Sequence, residues 1–284
     1  MILILLLLQS CNNDDSYNNN LGDHSELGFE LDEPNTILNE LAKGELKNDI
    51  NSILLVLYGN TERKWEFEYI PNTDLISKMT YFSPHYQICE KDEYVFSYNS
   101  LNLVSKIVST RRNVCNEFTV IHEYSFNYNQ NGLLKSIFTD NQSFVEENYF
   151  GYYPNGKIKE IYNSFRQRGE NATFGLQKFK YDVLFKNVIQ IEHIFGSNYH
   201  YIYEYSYDNK INPFKDVFVA VSVFMPFIGP AYLSENNVIS ETTKLGNIEN
   251  SNGIIREFQF NYSANNTLFD YKYLNNERVF KINQ

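Results

Sequence analysis

Aromatic side chains recur at alternate positions along this chain, each run closes on a tyrosine, and turn-forming residues follow. The runs are Trp65-Phe67-Tyr69, Tyr94-Phe96-Tyr98, Tyr124-Phe126-Tyr128, Tyr149-Gly151-Tyr153, Phe179-Tyr181, Tyr203-Tyr205-Tyr207 and Phe258-Phe260-Tyr262. A period of two places every member of a run on one face of a β-strand, whereas a helix would scatter them around its axis. Each run is therefore a core stripe. Behind the closing tyrosines stand Asn129-Gln130-Asn131-Gly132, Pro154-Asn155-Gly156, Asp208-Asn209-Lys210 and Ser263-Ala264-Asn265-Asn266. Asn and Gly tolerate the positive φ of tight hairpins, and Pro presets φ for a turn. Apolar return strands follow: Leu103 to Ile107, Leu133 to Ile137, Ile158 to Ile161 and Val188 to Ile191. Each unit reads as a hairpin of about 25 to 30 residues, a repeat length typical of stacked supersecondary units. The expected fold is all-β: one extended antiparallel β-meander of tyrosine-rich hairpin repeats, either an open, curled single sheet or a partly closed barrel.

The consensus aromatic-x-Tyr-(Asp/Asn)-x-x-Gly-x-Leu-x-x-Ile resembles the YD repeats of Rhs-type bacterial proteins. The best matches are Tyr128 to Ile137, Tyr153 to Ile161 and, without the glycine, Tyr207 to Val217. The chain also resembles bacterial outer-membrane and surface lipoproteins that place such hairpins behind an acylated cysteine. The resemblance spans roughly residues 53 to 274 and is loose, since several copies lack the glycine and most lack an arginine. Rhs-type proteins wrap many repeats into a shell around a toxin. This chain has too few repeats and no cargo domain, so that function does not carry over.

Two stretches break the rhythm. Residues 34 to 52, with Pro34, Ile37, Leu38 and Leu41, have the spacing of a short helix, divided near Gly44. Residues 213 to 240 hold Pro213, Pro226 and Pro230 among Phe214, Val217, Phe218, Val221 and Phe224, an irregular or helical insertion that the prolines terminate.

The N-terminus reads as an address. Ile2 to Leu8 is an unbroken apolar run, far short of the roughly 20 residues a helix needs to cross a bilayer but right for a signal-peptide core. Leu8-Gln9-Ser10-Cys11 behind it resembles the lipobox of bacterial lipoproteins. In that family the cysteine is lipidated, which implies a membrane anchor at Cys11 and removal of residues 1 to 10. Residues 11 to 33 open with Asn12-Asn13-Asp14-Asp15 and stay polar, too polar to offset their own ordering entropy. They read as an acidic tether. An acidic cluster behind the acylated cysteine also resembles the signal that sends some lipoproteins to the cell surface; the alternative is the periplasmic face of the outer membrane. Residues 34 to 284 form a single β-repeat domain.

Composition agrees with this organisation. Tyr 23 and Phe 22 against Trp 1 and Met 3 is a sheet-former's bias, and the net charge of -11 repels phosphate backbones, so no nucleic-acid partner is expected. With Cys11 lipidated, Cys89 and Cys115 remain in an oxidising compartment, either as a disulfide or as two buried free thiols. His24, His85, His122, His193 and His200 show no metal-ligand spacing and lie beside no candidate nucleophile, so they read as solvated or satisfied by the core. Glu146-Glu147 and Asp92-Glu93 are sequence neighbours, which on a strand face opposite ways and make poor acid/base pairs. No catalytic residue, metal or cofactor is expected.

The longest tyrosine ladder, Tyr199, Tyr201, Tyr203, Tyr205 and Tyr207, has two readings. It either continues the buried stripe or offers Tyr199, Tyr201 and Tyr203 as a platform for a ligand such as a sugar ring. The expected function is a non-enzymatic binding or interaction module on the cell surface, for a protein partner or a glycan. The alternatives are a periplasm-facing accessory in glycan uptake or envelope assembly, and a hydrolase with an unrecognised site.

Overall fold

The alternating runs form strands and the turn chemistry joins them. The computed structural model describes residues 52–57, 61–82, 90–113, 118–141, 143–196, 199–212, 233–246, 253–262, 268–273 and 278–283. The strands are β1 (Ser52–Leu57), β2 (Thr61–Tyr69), β3 (Ile76–Phe82), β4 (Glu90–Tyr98), β5 (Val104–Asn113), β6 (Phe118–Tyr128), β7 (Leu134–Asp140) and β8 (Phe144–Tyr152). They continue as β9 (Ile158–Gln167), β10 (Thr173–Tyr181), β11 (Val188–Phe195), β12 (Tyr199–Ile211), β13 (Asn236–Leu245), β14 (Ile254–Tyr262), β15 (Leu268–Tyr273) and β16 (Arg278–Asn283). Every strand pairs antiparallel with its chain neighbours, the meander expected. Ser52 also opposes both Glu66 of β2 and Asn283 of β16, so the sheet closes on itself and has no free edge.

Asn99, Asn129 and Asp182, each directly after a closing tyrosine, organise their turns. Asn129 Oδ1 accepts from the N–H groups of Asn131 and Leu133 at 3.0 and 2.9 Å, and the Gly132 N–H returns to the Asn129 carbonyl at 3.1 Å. Asn99 does the same for Leu101 and Leu103, and Asp182 for Leu184 and Lys186. The fourth turn residue sits in the left-handed region: Asn102 at φ 59, Gly132 at φ 77, Gly156 at φ 81 and Phe185 at φ 54. Glycine or Asn suits that position. Phe185 does not, and there the ring packs edge-on against Tyr153 at 5.5 Å and tilted against Tyr181 at 5.9 Å.

A second device explains why the runs end in tyrosine. Tyr98 donates its hydroxyl to the Ile76 carbonyl at 2.6 Å and Tyr152 to the Leu134 carbonyl at 2.7 Å; Tyr128 and Tyr207 do the same to Val104 and Val188. Each accepting carbonyl lies two residues before its strand's first pairing with the next hairpin, at Lys78, Ser136, Lys106 and Gln190. The ladder has not yet begun there, and the tyrosine supplies the missing donor. Tyr181 is the exception, since its hydroxyl is buried without a partner. Its preceding turn begins with Tyr153 instead of Asn or Asp, and Tyr153 donates to the Phe179 carbonyl at 2.8 Å while lying edge-on to Tyr181 at 6.0 Å.

Several expectations change. In the fourth repeat the core register is Phe150 and Tyr152, 4 % and 5 % exposed, and not Tyr149-Gly151-Tyr153. Tyr152, not Tyr153, pairs with the return strand at Ile158, because the Tyr153 backbone has become the first turn residue. Asp208-Asn209-Lys210 is not a hairpin turn: β12 runs on to Ile211, and the register shifts there as a bulge. Tyr207 pairs with Val238 of β13. Asp208 still binds the Lys210 N–H at 2.9 Å, but its oxygen also takes the N–H of Asn237 at 3.1 Å, from the incoming strand. The insertion expected to reach residue 240 ends earlier, since β13 begins at Asn236; its residues 213–232 lie outside those described, as do residues 34 to 51 of the expected helix.

The two faces of the sheet differ in kind. Ile76, Met79, Val104, Ile107, Leu134, Ile137, Ile158, Ile161, Val188 and Ile191 are 0–6 % exposed and, with Phe67, Phe96, Phe126, Phe150 and Phe179, form an apolar layer at the turn end. The opposite face carries ion pairs: Lys78 with Glu68 and Glu93, Lys91 with Glu93, Lys106 with Glu123, Lys178 with Glu192, Lys244 with Glu204. Among the described residues none covers the face turned away from the barrel axis, so the buried apolar face is the inner one. A round sixteen-stranded barrel would leave a water-filled channel; here the turn end is filled.

Candidate functional site

Above the apolar layer, toward the end where successive hairpins connect, the inner face becomes polar. In β4 the sequence Asp92-x-Tyr94-x-Phe96 keeps one face, and Asp92 opposes Arg111 of β5. Arg111 grips the carboxylate with both arms, Nε to Oδ1 at 2.9 Å and Nη2 to Oδ2 at 3.1 Å, while Tyr94 donates to Oδ2 at 3.4 Å. Trp65 and Tyr81 stand beside this pair, their rings 5.1 Å apart. His122 meets the Asn141 amide at 2.8 Å, and burial, then the Arg111 charge, push its pKa down. Neighbouring Tyr124 is pushed up to about 12 by burial and then by the Glu146 carboxylate.

Across β8 to β12 lies a second polar group. Glu146 Oε1 accepts from the Asn148 and Asn163 amides at 3.2 and 3.1 Å, and Asn163 also donates to Asn148 Oδ1 at 2.9 Å. The register continues Asn148 to Asn163, Asn163 to Gly175, Gly175 to Phe195, and Phe195 to Tyr199. One row nearer the turns it runs Ile161 to Gln177, Gln177 to His193, and His193 to Tyr201. Gly175 admits the Phe195 ring, which would lie 3.2 Å from a Cβ there. Burial pushes the His193 pKa down.

The carboxylate neighbours behave as their spacing predicts: Asp92 and Glu146 turn inward, while Glu93 pairs outside with Lys78 and Lys91. The tyrosine ladder is corrected as a buried stripe. Tyr199 is 57 % exposed and Tyr201, Tyr203 and Tyr205 are half-buried. Tyr201 and Tyr203 have ring centroids 6.3 Å apart. The structure thus brings Tyr199 and Tyr201 onto the same face as Glu146, Asn148, Asn163 and Gln177. Sequence reasoning set Glu146 aside as half of a poor acid/base pair and missed Asn148, Asn163 and Gln177; the signal was a polar residue at a register position where the repeat calls for a core aromatic or aliphatic. Cys11, Cys89 and Cys115 lie outside the described residues, as do His24 and His85.

No family model matches the chain, and no curated protein does. Among solved structures it is similar to a porin-like protein from Bacteroides uniformis ATCC 8492, at 8% identity and a TM-score of 0.36, over 83% of this chain and 98% of that one. A porin-like protein from Bacteroides vulgatus ATCC 8482 gives 8% identity and a TM-score of 0.39, over 82% and 97%. At those values the likeness carries no inference about function.

Proposed function

We propose that this protein is a lipid-anchored, non-enzymatic binding module on the outside of the cell, held to its membrane through Cys11 and not through its β-domain. The observation that carries this reading is the inversion of faces. A barrel embedded in lipid turns an apolar band about 25 Å tall outward, and a charge on that face costs about 2–4 kcal/mol at mid-membrane. Here the outward face bears the Lys–Glu pairs of β3 to β6 and β10 to β13, and the apolar face is buried. Such a domain stands in water, so its membrane contact falls to the N-terminus, where two or three acyl chains on Cys11 give stable anchoring. The acidic tether of residues 12 to 33 then carries the domain outward.

Detergent phase separation of the full chain tests the reading. Wild type is expected in the detergent phase and Cys11→Ala in the aqueous phase. If Cys11→Ala stays with detergent, the β-domain itself holds the membrane and the proposal fails. Protease shaving of intact cells, with Asp14 and Asp15 changed to Ala, then separates surface from periplasmic display.

A further inference from the structure

Gln177 is 6 % exposed, and its Oε1 is buried without a hydrogen-bond partner. A buried acceptor left unpaired is destabilising, and its neighbours are chemically related to it. On the same inner face, one to two strands and up to two rows away, stand two more amides, Asn148 and Asn163, one carboxylate, Glu146, and the aromatic rings of Phe195, Tyr199 and Tyr201. Both amides use Glu146 Oε1, which leaves Oε2 for an incoming donor.

We propose that this inner face of β8 to β12 binds a neutral saccharide unit, resting on the reading of the protein as a binding module. Amide and carboxylate groups each present two adjacent polar atoms in a plane, the spacing that matches neighbouring hydroxyls on a sugar ring. The C–H face of such a ring is apolar and packs on an aromatic side chain, and a tyrosine adds a polar handle. Tyr199 is exposed beside Phe195, and Tyr201 lies one row nearer the turn end beside His193. Few polar groups converging among aromatic rings is the usual make-up of a small-molecule site. Charge selects within that class. Among the described inward-facing residues of β8 to β12 there is no Lys or Arg, and Glu146 is present, so phosphorylated or carboxylated ligands are repelled. Gln177 Oε1 is buried, so a ligand hydroxyl supplies its missing donor only when the side chains covering it move aside.

The test titrates the full chain with cellobiose, maltose, lactose and chitobiose, with glucose 6-phosphate as the charged control, by calorimetry and saturation-transfer NMR. At least one neutral disaccharide is expected to bind saturably, with a Kd of about 1 mM or tighter. Tyr199→Ala, at an exposed position that leaves the fold intact, should weaken binding about fivefold. Gln177→Met removes the unpaired acceptor at similar volume; it should hold or raise Tm while weakening binding about tenfold. A purely structural glutamine would shift Tm and leave the Kd alone. The proposal is overturned if no disaccharide binds, if glucose 6-phosphate binds as tightly, or if binding survives both substitutions. None of those outcomes touches the detergent-partition result, so ligand class and anchoring stand or fall separately.

Discussion

Replacing Tyr152 with Phe isolates the device that closes each hairpin against the one before it. The ring stays, so the apolar layer is unchanged, and only the hydroxyl that donates to the Leu134 carbonyl at 2.7 Å is lost. The residue is 5 % exposed and Leu134 is 0 %, so water does not replace the donor without local opening. A net hydrogen bond contributes about 0.5–1.5 kcal/mol, and the stranded buried carbonyl adds to the loss, so Tyr152→Phe should cost about 2 kcal/mol. Tyr181→Phe is the matched control. That ring is equally buried at 7 %, but its hydroxyl has no partner, so removing it should be neutral or stabilise by up to about 1 kcal/mol. Tyr98, Tyr128, Tyr152 and Tyr207 lie on alternate strands, roughly 9 to 10 Å or more apart, where effects add. The four Phe substitutions together should cost about 6 to 8 kcal/mol by that addition. Urea unfolding reads this as a lowered midpoint at unchanged m. Equal losses for Tyr152→Phe and Tyr181→Phe would show that the hydroxyls do not act as cross-hairpin donors, and the reasoning would be wrong.

Backbone, ion-pair and titration effects give further tests. Gly156→Ala meets nothing within 4 Å, so its cost, about 1–2 kcal/mol by urea unfolding, comes from φ +81 alone. Arg111→Met strands the buried Asp92 carboxylate; with Arg111 itself half-exposed the loss is about 2 kcal/mol, and Asp92→Asn in the same chain should recover much of it. Reversing the outer pair Lys244–Glu204 should change the urea midpoint by less than about 0.5 kcal/mol equivalent, since exposed pairs contribute little. His122 and His193 both have pKa values lowered from 6.5 by burial. The unfolded chain takes up protons below pH 6.5 that the folded one resists, so stability is full above pH 6.5 and falls as pH drops toward the lowered values. His193→Gln should flatten that acid limb of Tm against pH, and an unchanged slope would exclude its part in it.

The sequence by itself determined the strands, their inward faces and most of their turns. These are local matters: period two fixes the face, and an Asn, Asp or Gly at a set offset fixes the turn. It determined also that Asp92 and Glu93, or Glu146 and Glu147, face apart. It misplaced the fourth repeat by one residue, because Tyr149, Gly151 and Tyr153 alternate as well as Phe150 and Tyr152 do, and only pairing with Ile158 chooses between them. It read a turn at Asp208-Asn209-Lys210, because the same side-chain oxygen that builds a turn also serves a bulge when the next strand, β13, supplies Asn237 to it. Tertiary structure alone decided three things. Closure through β1 and β16 joins residues from opposite ends of the chain, which no local pattern encodes. The tyrosine hydroxyls find carbonyls 18 to 24 residues away, where the ladder has not begun. The row from Asn148 through Asn163 and Gly175 to Tyr199 is a product of strand register, and register is set by how whole hairpins dock, so the candidate site exists only once they have.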